Sequence, residues 1–235
     1  MKIKSLNFSY GEKVIFQDLN IEMPAGGVTC IMGGSGAGKT TLLNCISRRL
    51  DFDGNIEYDA DGGGFAYVFQ QPRLIPSMTV EDNIKFVLPS NLAKEQVQQR
   101  VDSVISKLQL EECRKSYPSK ISGGQAGRVS LARALVTDCD ILLLDEPFKG
   151  LDVKLKRDIL ALLMPLVEKK TVVFVTHDVE EALAIADRVF VFERKENSCV
   201  TVKGQIDVEQ IQADRDIYGE KLNQVRKEIY DLLTK

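Results

Sequence analysis

The sequence predicts an α/β fold built on a parallel sheet, and three features carry that expectation. A short, continuously apolar stretch from Val28 to Met32 runs into a glycine-rich loop and then a helical pattern. Strands of this kind are buried on both faces of a parallel sheet. From Ile141 onward, strand and helix patterns alternate: strand Ile141 to Leu144, helix Lys154 to Val167, strand Thr171 to Thr176, helix Val179 to Ala186, strand Arg188 to Phe192. That order lays helices against parallel strands. Between these two regions, from Thr79 to about Val136, the pattern is helical.

The elements follow in order. Lys2 to Phe8 alternates polar and apolar residues, Tyr10-Gly11-Glu12-Lys13 reads as a turn, and Leu19 to Met23 alternates again before Pro24-Ala25-Gly26-Gly27. After the glycine-rich loop a helix is expected from Thr40 to Leu50. Asp51 to Gly64 reads as a short strand bounded by turns, and Phe65 to Gln70 as another strand. Thr79 is a good N-cap, with Glu81 and Asp82 suited to the positive end of the helix dipole. Val97, Val101, Val104, Ile105 and Leu108 recur every three or four positions, which makes that helix amphipathic. In the last stretch, Asp207 to Lys235, the apolar residues Tyr218, Leu222, Val225, Ile229 and Leu232 form a stripe that suits a helix docked on its own domain.

Composition narrows the class. The chain has 235 residues, 44% hydrophobic and 28% charged, with a net charge of -3. That suits a globular protein and argues against nucleic-acid binding driven by bulk basicity. The five cysteines (Cys30, Cys45, Cys113, Cys139 and Cys199) form no CxxC pair, and His177 is the only histidine. They read as small buried apolar residues in a reducing compartment, without a disulfide framework or zinc site. The N-terminus lacks the apolar core of a signal peptide, and no apolar run is long enough to span a bilayer. Service to a membrane would therefore pass through a partner.

Two motifs carry chemistry. Gly33-Gly34-Ser35-Gly36-Ala37-Gly38-Lys39-Thr40 fits GxxxxGK[ST] between a buried strand and a helix. Small residues let backbone N–H groups turn toward phosphate oxygens, Lys39 brings positive charge to the β- and γ-phosphates, and Thr40 offers a hydroxyl to magnesium. The helix that begins there points its positive end at the anion. About a hundred residues later, Ile141-Leu142-Leu143-Leu144-Asp145-Glu146 delivers two carboxylates at the end of a buried strand. Ligands bind at that end of open α/β sheets. Asp145 suits magnesium, and Glu146 suits a general base acting on the attacking water. These residues describe a P-loop ATPase or GTPase.

A third motif separates the classes. Ile121-Ser122-Gly123-Gly124-Gln125, followed by Gly127-Arg128-Val129-Ser130-Leu131-Ala132-Arg133-Ala134-Leu135, closely resembles the signature of ABC ATPases. It is a second small-residue loop at a helix N-terminus, hence a second anion site. One nucleotide does not need two γ-phosphate cradles from one monomer. A head-to-tail dimer resolves this, the Ser122, Gly123, Gly124 and Gln125 of one copy closing over the nucleotide of the other.

The resemblance covers residues 1 to 205 and implies further roles. Tyr10 matches the aromatic that stacks on adenine, and residues 33 to 41, ending in Thr40 and Thr41, match the nucleotide-binding loop. Gln70 matches the glutamine that senses magnesium and the membrane partner. Asp152, in Gly150-Leu151-Asp152, lies in the loop that crosses the dimer interface, and His177 matches the histidine at the γ-phosphate. The implied metal set is Thr40, Gln70 and Asp145, the catalytic set Lys39, Gln70, Glu146 and His177, and the cofactors ATP and Mg2+. The implied architecture is a RecA-like parallel core with an antiparallel β subdomain and an inserted helical subdomain at about 77–136, followed by a short helical extension at 206–235. Departures are mild: Gly34 where proline is frequent, Ile121 for leucine, Ala126-Gly127 where bulkier residues are usual, and Lys149 where a small residue is common. None removes a reacting group.

Phe69-Gln70-Gln71-Pro72-Arg73-Leu74-Ile75-Pro76 and Asp145-Glu146-Pro147-Phe148-Lys149-Gly150-Leu151-Asp152 are similar to those of the nitrate, sulfonate and taurine importers. The expectation is an ATPase subunit on the cytoplasmic face of the membrane. It would work as a homodimer or paired with a second ATPase, on integral membrane permease subunits fed by an extracytoplasmic solute-binding protein. Exporter and lipoprotein-extraction ATPases share these motifs. Soluble ABC proteins acting on ribosomes or DNA usually carry tandem cassettes or long insertions, which this sequence lacks.

Overall fold

The computed structural model describes residues 1–58, 64–167, 170–195, 198–208 and 220–234. The chain divides into two compact units, residues 1–62 with 167–235, and residues 63–166.

In the first unit, β1 (Lys2–Tyr10) and β2 (Lys13–Glu22) pair antiparallel, and β4 (Asp53–Glu57) joins the other edge of β1. Ile3 and Leu6 of β1 face Ile15, Phe16, Leu19 and Ile21 of β2 as a buried layer. The second strand starts six residues before the expected Leu19, because Lys13 and Val14 pair with Tyr10 and Ser9 across the turn. β3 (Val28–Gly33) lies between β7 (Thr171–Val175) and β8 (Arg188–Arg194), parallel to both. Every residue of β3 and β7 is buried, as a strand covered on both faces requires. β9 (Val200–Asp207) runs antiparallel to β8, a strand the sequence pattern did not indicate.

Helix α1 (Lys39–Ile46) stops four residues short of the expected Leu50. Ser47 N–H still donates to Leu43 O at 3.0 Å, but Arg48 enters the left-handed region at φ 56° and ends the helix. Its guanidinium offsets the cost by lying 4.8 Å over the Phe52 ring and donating to Ile56 O at 3.3 Å. α6 (Val179–Ile185) follows β7, and α7 (Glu220–Thr234) packs on α6, β8 and β9. Leu222, Val225 and Ile229 of α7 are buried, each full burial contributing about 1.5–3 kcal/mol. Leu232 continues the stripe against Gly204 of β9, where a Cβ would lie 2.5 Å from Leu232 Cδ1. Tyr218 lies outside the described residues.

In the second unit, β5 (Phe65–Val68) and β6 (Ile141–Asp145) pair parallel. Around them are α2 (Val80–Lys85), α3 (Lys94–Lys107), α4 (Gly123–Leu135) and α5 (Val153–Val167), with a 3-10 turn at Pro118–Lys120. Thr79 caps α2, its Oγ1 accepting from Asp82 N–H at 3.2 Å. Asn83, fully buried, accepts from Ile75 N–H and donates to the carbonyls of Ile75, Met78 and Thr79, which fixes the preceding loop. Val101, Val104 and Ile105 form the buried face of α3. The compact unit takes in the 77–136 span together with β5, β6 and most of α5. Of the cysteines, Cys30, Cys45, Cys113 and Cys139 are buried and Cys199 is half-buried, all as free thiols.

Candidate functional site

The first unit holds the glycine-rich loop between β3 and α1. Gly33 has φ 147°, and a Cβ there would meet Phe192 O of β8 at 2.3 Å, so only glycine fits. Gly38 caps α1 at φ 75°, with Val200, Ile15 and Phe16 packed 3.0–3.2 Å from where its Cβ would be. Lys39 folds back across the loop, its Nζ donating to Gly33 O and Gly34 O at 2.8 Å each. The ammonium is thus held inside the loop rather than in solvent. Ala37 is buried, Thr40 exposed and Thr41 half-buried, while Gly34, Ser35 and Gly36 are exposed. Ser35 and Gly36 line one side of a cavity of about 930 Å³, with Lys13, Gln17, Arg194 and Lys195 on its other walls. Arg194 braces that cavity by donating to Val14 O at 2.8 Å and Ser198 O at 2.9 Å. Nothing in the sequence pattern singled out Lys13, Arg194 or Lys195 as cavity residues, since their convergence depends on the end of β8 reaching β2, where Arg194 meets Val14 O. Tyr10, at the end of β1, is 49% exposed with its ring edge-on to Phe8 at 4.8 Å.

His177 follows β7 in the same unit. Thr176 before it is buried, and its hydroxyl donates to Glu181 Oε2 at 2.5 Å and accepts from Asp178 N–H at 3.0 Å. Asp178 after it caps α6, accepting from Glu180 N–H at 2.9 Å. His177 is exposed between two anchored neighbours.

The second unit holds the carboxylates. β6 is buried along its length, including Asp145 at 3% exposure. Glu146 turns out of the strand with φ 47°, a left-handed conformation that costs a glutamate energy and is found where a side chain must be aimed. Gln70 Nε2 donates to Glu146 Oε2 at 2.9 Å. Lys149 Nζ reaches the same oxygen at 3.2 Å, because the turn that follows returns Lys149 N–H to Glu146 O. In the sequence Lys149 was visible only as a departure from the family pattern.

The signature loop has its own anchors. Ser122 caps α4, its hydroxyl accepting from Gln125 N–H at 3.2 Å while Gln125 Oε1 accepts from Ser122 N–H at 2.8 Å. This reciprocal cap contributes about 1 kcal/mol and offsets the flexibility of Gly127. Gly123 is exposed, and a Cβ on Gly124 would lie 3.5 Å from Gly150 O, so the signature and the Gly150-Leu151-Asp152 turn pack together. Asp152 Oδ1 accepts from Leu155 N–H at 3.0 Å and starts α5.

A buried strand, a glycine loop that cages a lysine and a helix, with a second strand ending in adjacent carboxylates, define a P-loop nucleoside triphosphatase. The family model for ABC transporters matches residues 16–149, more than half of the chain. The aliphatic sulfonates import ATP-binding protein of Corynebacterium glutamicum is 37% identical over 195 residues, covering 81% of this chain and 79% of the relative. The sulfate/thiosulfate import ATP-binding protein of Nocardia farcinica is 36% identical over 228 residues, covering 92% of this chain and 66% of that relative. Among solved structures, the dimeric structure of a bacterial ABC transporter cassette superimposes with a TM-score of 0.77 at 30% identity, covering 88% of this chain and 98% of that one. A post-hydrolysis state of a dimeric cassette bound to ADP and Pi gives 0.76 at 29% identity. The chain belongs to the ABC transporter family, as an ATP-binding cassette that hydrolyses ATP. Among the described residues no helix is long and apolar enough to cross a membrane.

Proposed function

We propose that the chain powers solute import as one of two ATPase subunits bound to membrane permeases at the cytoplasmic face. A small oxyanion such as a sulfonate is the solute, delivered by an extracytoplasmic binding protein. The single observation that carries the catalytic part is Glu146, aimed by a left-handed backbone at the end of β6 with Gln70 at 2.9 Å. The importer part is supported by the sulfonate and sulfate import relatives.

Residues 33 to 41 bind the triphosphate, Lys39 neutralising the β- and γ-oxygens, and Tyr10 stacks on adenine. Mg2+ would be held by the Thr40 hydroxyl, the Gln70 amide oxygen and the Asp145 carboxylate, each a hard oxygen donor of the kind that ion prefers. When bound, Mg2+ screens the charge of the phosphate oxygens. Water attacks the γ-phosphorus as the bond to the ADP oxygen breaks, and the proton of the water passes to Glu146. His177 and the partner copy's signature serine stabilise charge on the departing phosphoryl group. The Asp152 loop lies along the dimer interface. Uptake of a labelled sulfonate by cells lacking the chain tests the solute class, and uptake at the parent rate rejects it. Co-purification of a membrane protein with the chain tests the assembly, and its absence from solubilised membranes rejects the permease partner.

A further inference from the structure

The C-terminal helix is bonded to the turn that carries the single histidine. Arg226 of α7 forks onto Glu180 of α6, its Nε donating to Oε1 at 2.7 Å and its Nη2 to Oε2 at 3.0 Å. Its remaining Nη1 donates to Asn223 Oδ1, one turn earlier on α7, so the guanidinium is oriented before it meets the carboxylate. Two parallel N–H···O bonds fix direction as well as distance. Arg226 is 19% exposed and Glu180 54% exposed, so the fork lies at the rim of a buried contact.

Glu180 stands in the first turn of α6, a helix of only seven residues. That turn is joined to the residues on either side of His177 by a short series of bonds: Asp178 Oδ1 accepts the N–H groups of Glu180 and Glu181, Asp178 N–H donates to Thr176 Oγ1, and Thr176 Oγ1 donates to buried Glu181. So short a helix has little rigidity of its own. Its orientation follows from its buried face of Val179, Ala182, Leu183 and Ile185 and from what holds its first turn, and α7 supplies one of those holds. The apolar stripe of Leu222, Val225 and Ile229 then makes α7 a fixed support rather than a loose tail.

We infer that Arg226 is a positioning residue for His177: the α7 helix, through the fork on Glu180, sets the angle at which the histidine leaves β7. This rests on the reading of His177 as a γ-phosphate contact. The C-terminal helix thereby governs turnover without touching nucleotide, and any event that lifts α7 slows hydrolysis through α6.

The experiment uses the full chain with any affinity tag removed, so that His177 is its only imidazole. Arg226→Met, Arg226→Lys and the exchanged pair Glu180→Arg with Arg226→Glu are compared with the parent. The readouts are kcat, KM for ATP, melting temperature and the NMR signal of the imidazole. Arg226→Met lowers kcat by about two- to five-fold at unchanged KM, the range of a partly exposed ion pair, and it shifts the imidazole signal. The exchanged pair restores both, and Arg226→Lys restores them in part. Unchanged kcat and signal in Arg226→Met overturn the inference, whether or not the melting temperature falls. His177→Ala separates the two readings: parent-rate turnover in that variant rejects the histidine's role in hydrolysis, while the imidazole shift in Arg226→Met still reports the mechanical link.

Discussion

Substituting Glu81 by glutamine removes one charge from the most heavily paired buried carboxylate described, in the second unit, while keeping its shape. Its side chain is 4% exposed, with Arg114 Nη2 at 2.7 Å, Lys115 Nζ at 2.5 Å and Lys85 Nζ at 2.7 Å. Glu81 also lies in the first turn of α2, where its N–H donates to Arg114 O at 3.0 Å, so the charges and the backbone join α2 to the loop at 111–116. The Arg114 guanidinium, then the two lysines, hold its carboxyl well below the usual carboxylate range despite burial. Breaking a fully buried pair costs about 3–5 kcal/mol. Here Arg114 is 27% exposed and keeps Asp102 at 2.7 Å, and Lys115 is 80% exposed, so both cations recover solvation. The expected cost is therefore nearer 2 kcal/mol, or a melting temperature lower by roughly 4–8 °C at pH 7 in a chain of this size. The folded-state pKa is depressed, so the stabilisation is complete above the unfolded value near 4.3 and is lost as pH falls below it. Glu81→Gln and the parent should thus converge in melting temperature as pH falls from about 5 toward 3. Thermal unfolding followed by circular dichroism across that range is the assay. A variant melting within a degree of the parent at pH 7, or a gap that widens in acid, would refute the reasoning.

Other outcomes follow from the same geometry. Gly33→Ala drives a Cβ into Phe192 O and should cost about 1–3 kcal/mol, with loss of ATP binding; a variant that melts and binds like the parent contradicts the loop's steric account. Lys39→Ala removes the ammonium held by Gly33 O and Gly34 O and should abolish nucleotide affinity, so retained affinity by calorimetry rejects its role. Burial pushes the Cys45 thiol up to about 12 and raises Cys30 and Cys113 as well. A thiol reagent should therefore modify half-buried Cys199 well before the four buried cysteines, and two fast-reacting thiols in the native chain would contradict this.

The parallel strands were legible because β3, β6 and β7 are buried on both faces and so are written as unbroken apolar runs. The glycine loop folded around Lys39 and the capped start of α4 at Ser122 were legible because each needs small residues at fixed offsets from a lysine or a cap. β9 was not, because Thr201, Lys203 and Gln205 mix polar residues into it and only pairing with β8 makes it a strand. The end of α1 depends on Arg48 adopting a left-handed conformation that Phe52 and Ile56 compensate, and no local signal marks it. Glu81 looked like a dipole partner for α2, but its three cations come from both sides of a fold whose loop at 111–116 returns to that helix. Lys149 reaches Glu146 through the local turn that the left-handed Glu146 backbone begins, whereas Arg226 reaches Glu180 through tertiary geometry that residue spacing does not contain.

In the proposed two-site motor, Glu146 of one copy works beneath the signature loop of the other. Steady-state ATPase activity of the purified chain against its own concentration, with Glu146→Gln alongside, tests it most directly. Activity is expected to rise more steeply than linearly. Glu146→Gln should turn over on the order of 10²-fold or more slowly and elute as a dimer when ATP is present. Concentration-independent specific activity from a persistent monomer, or Glu146→Gln hydrolysing at the parent rate, would contradict it.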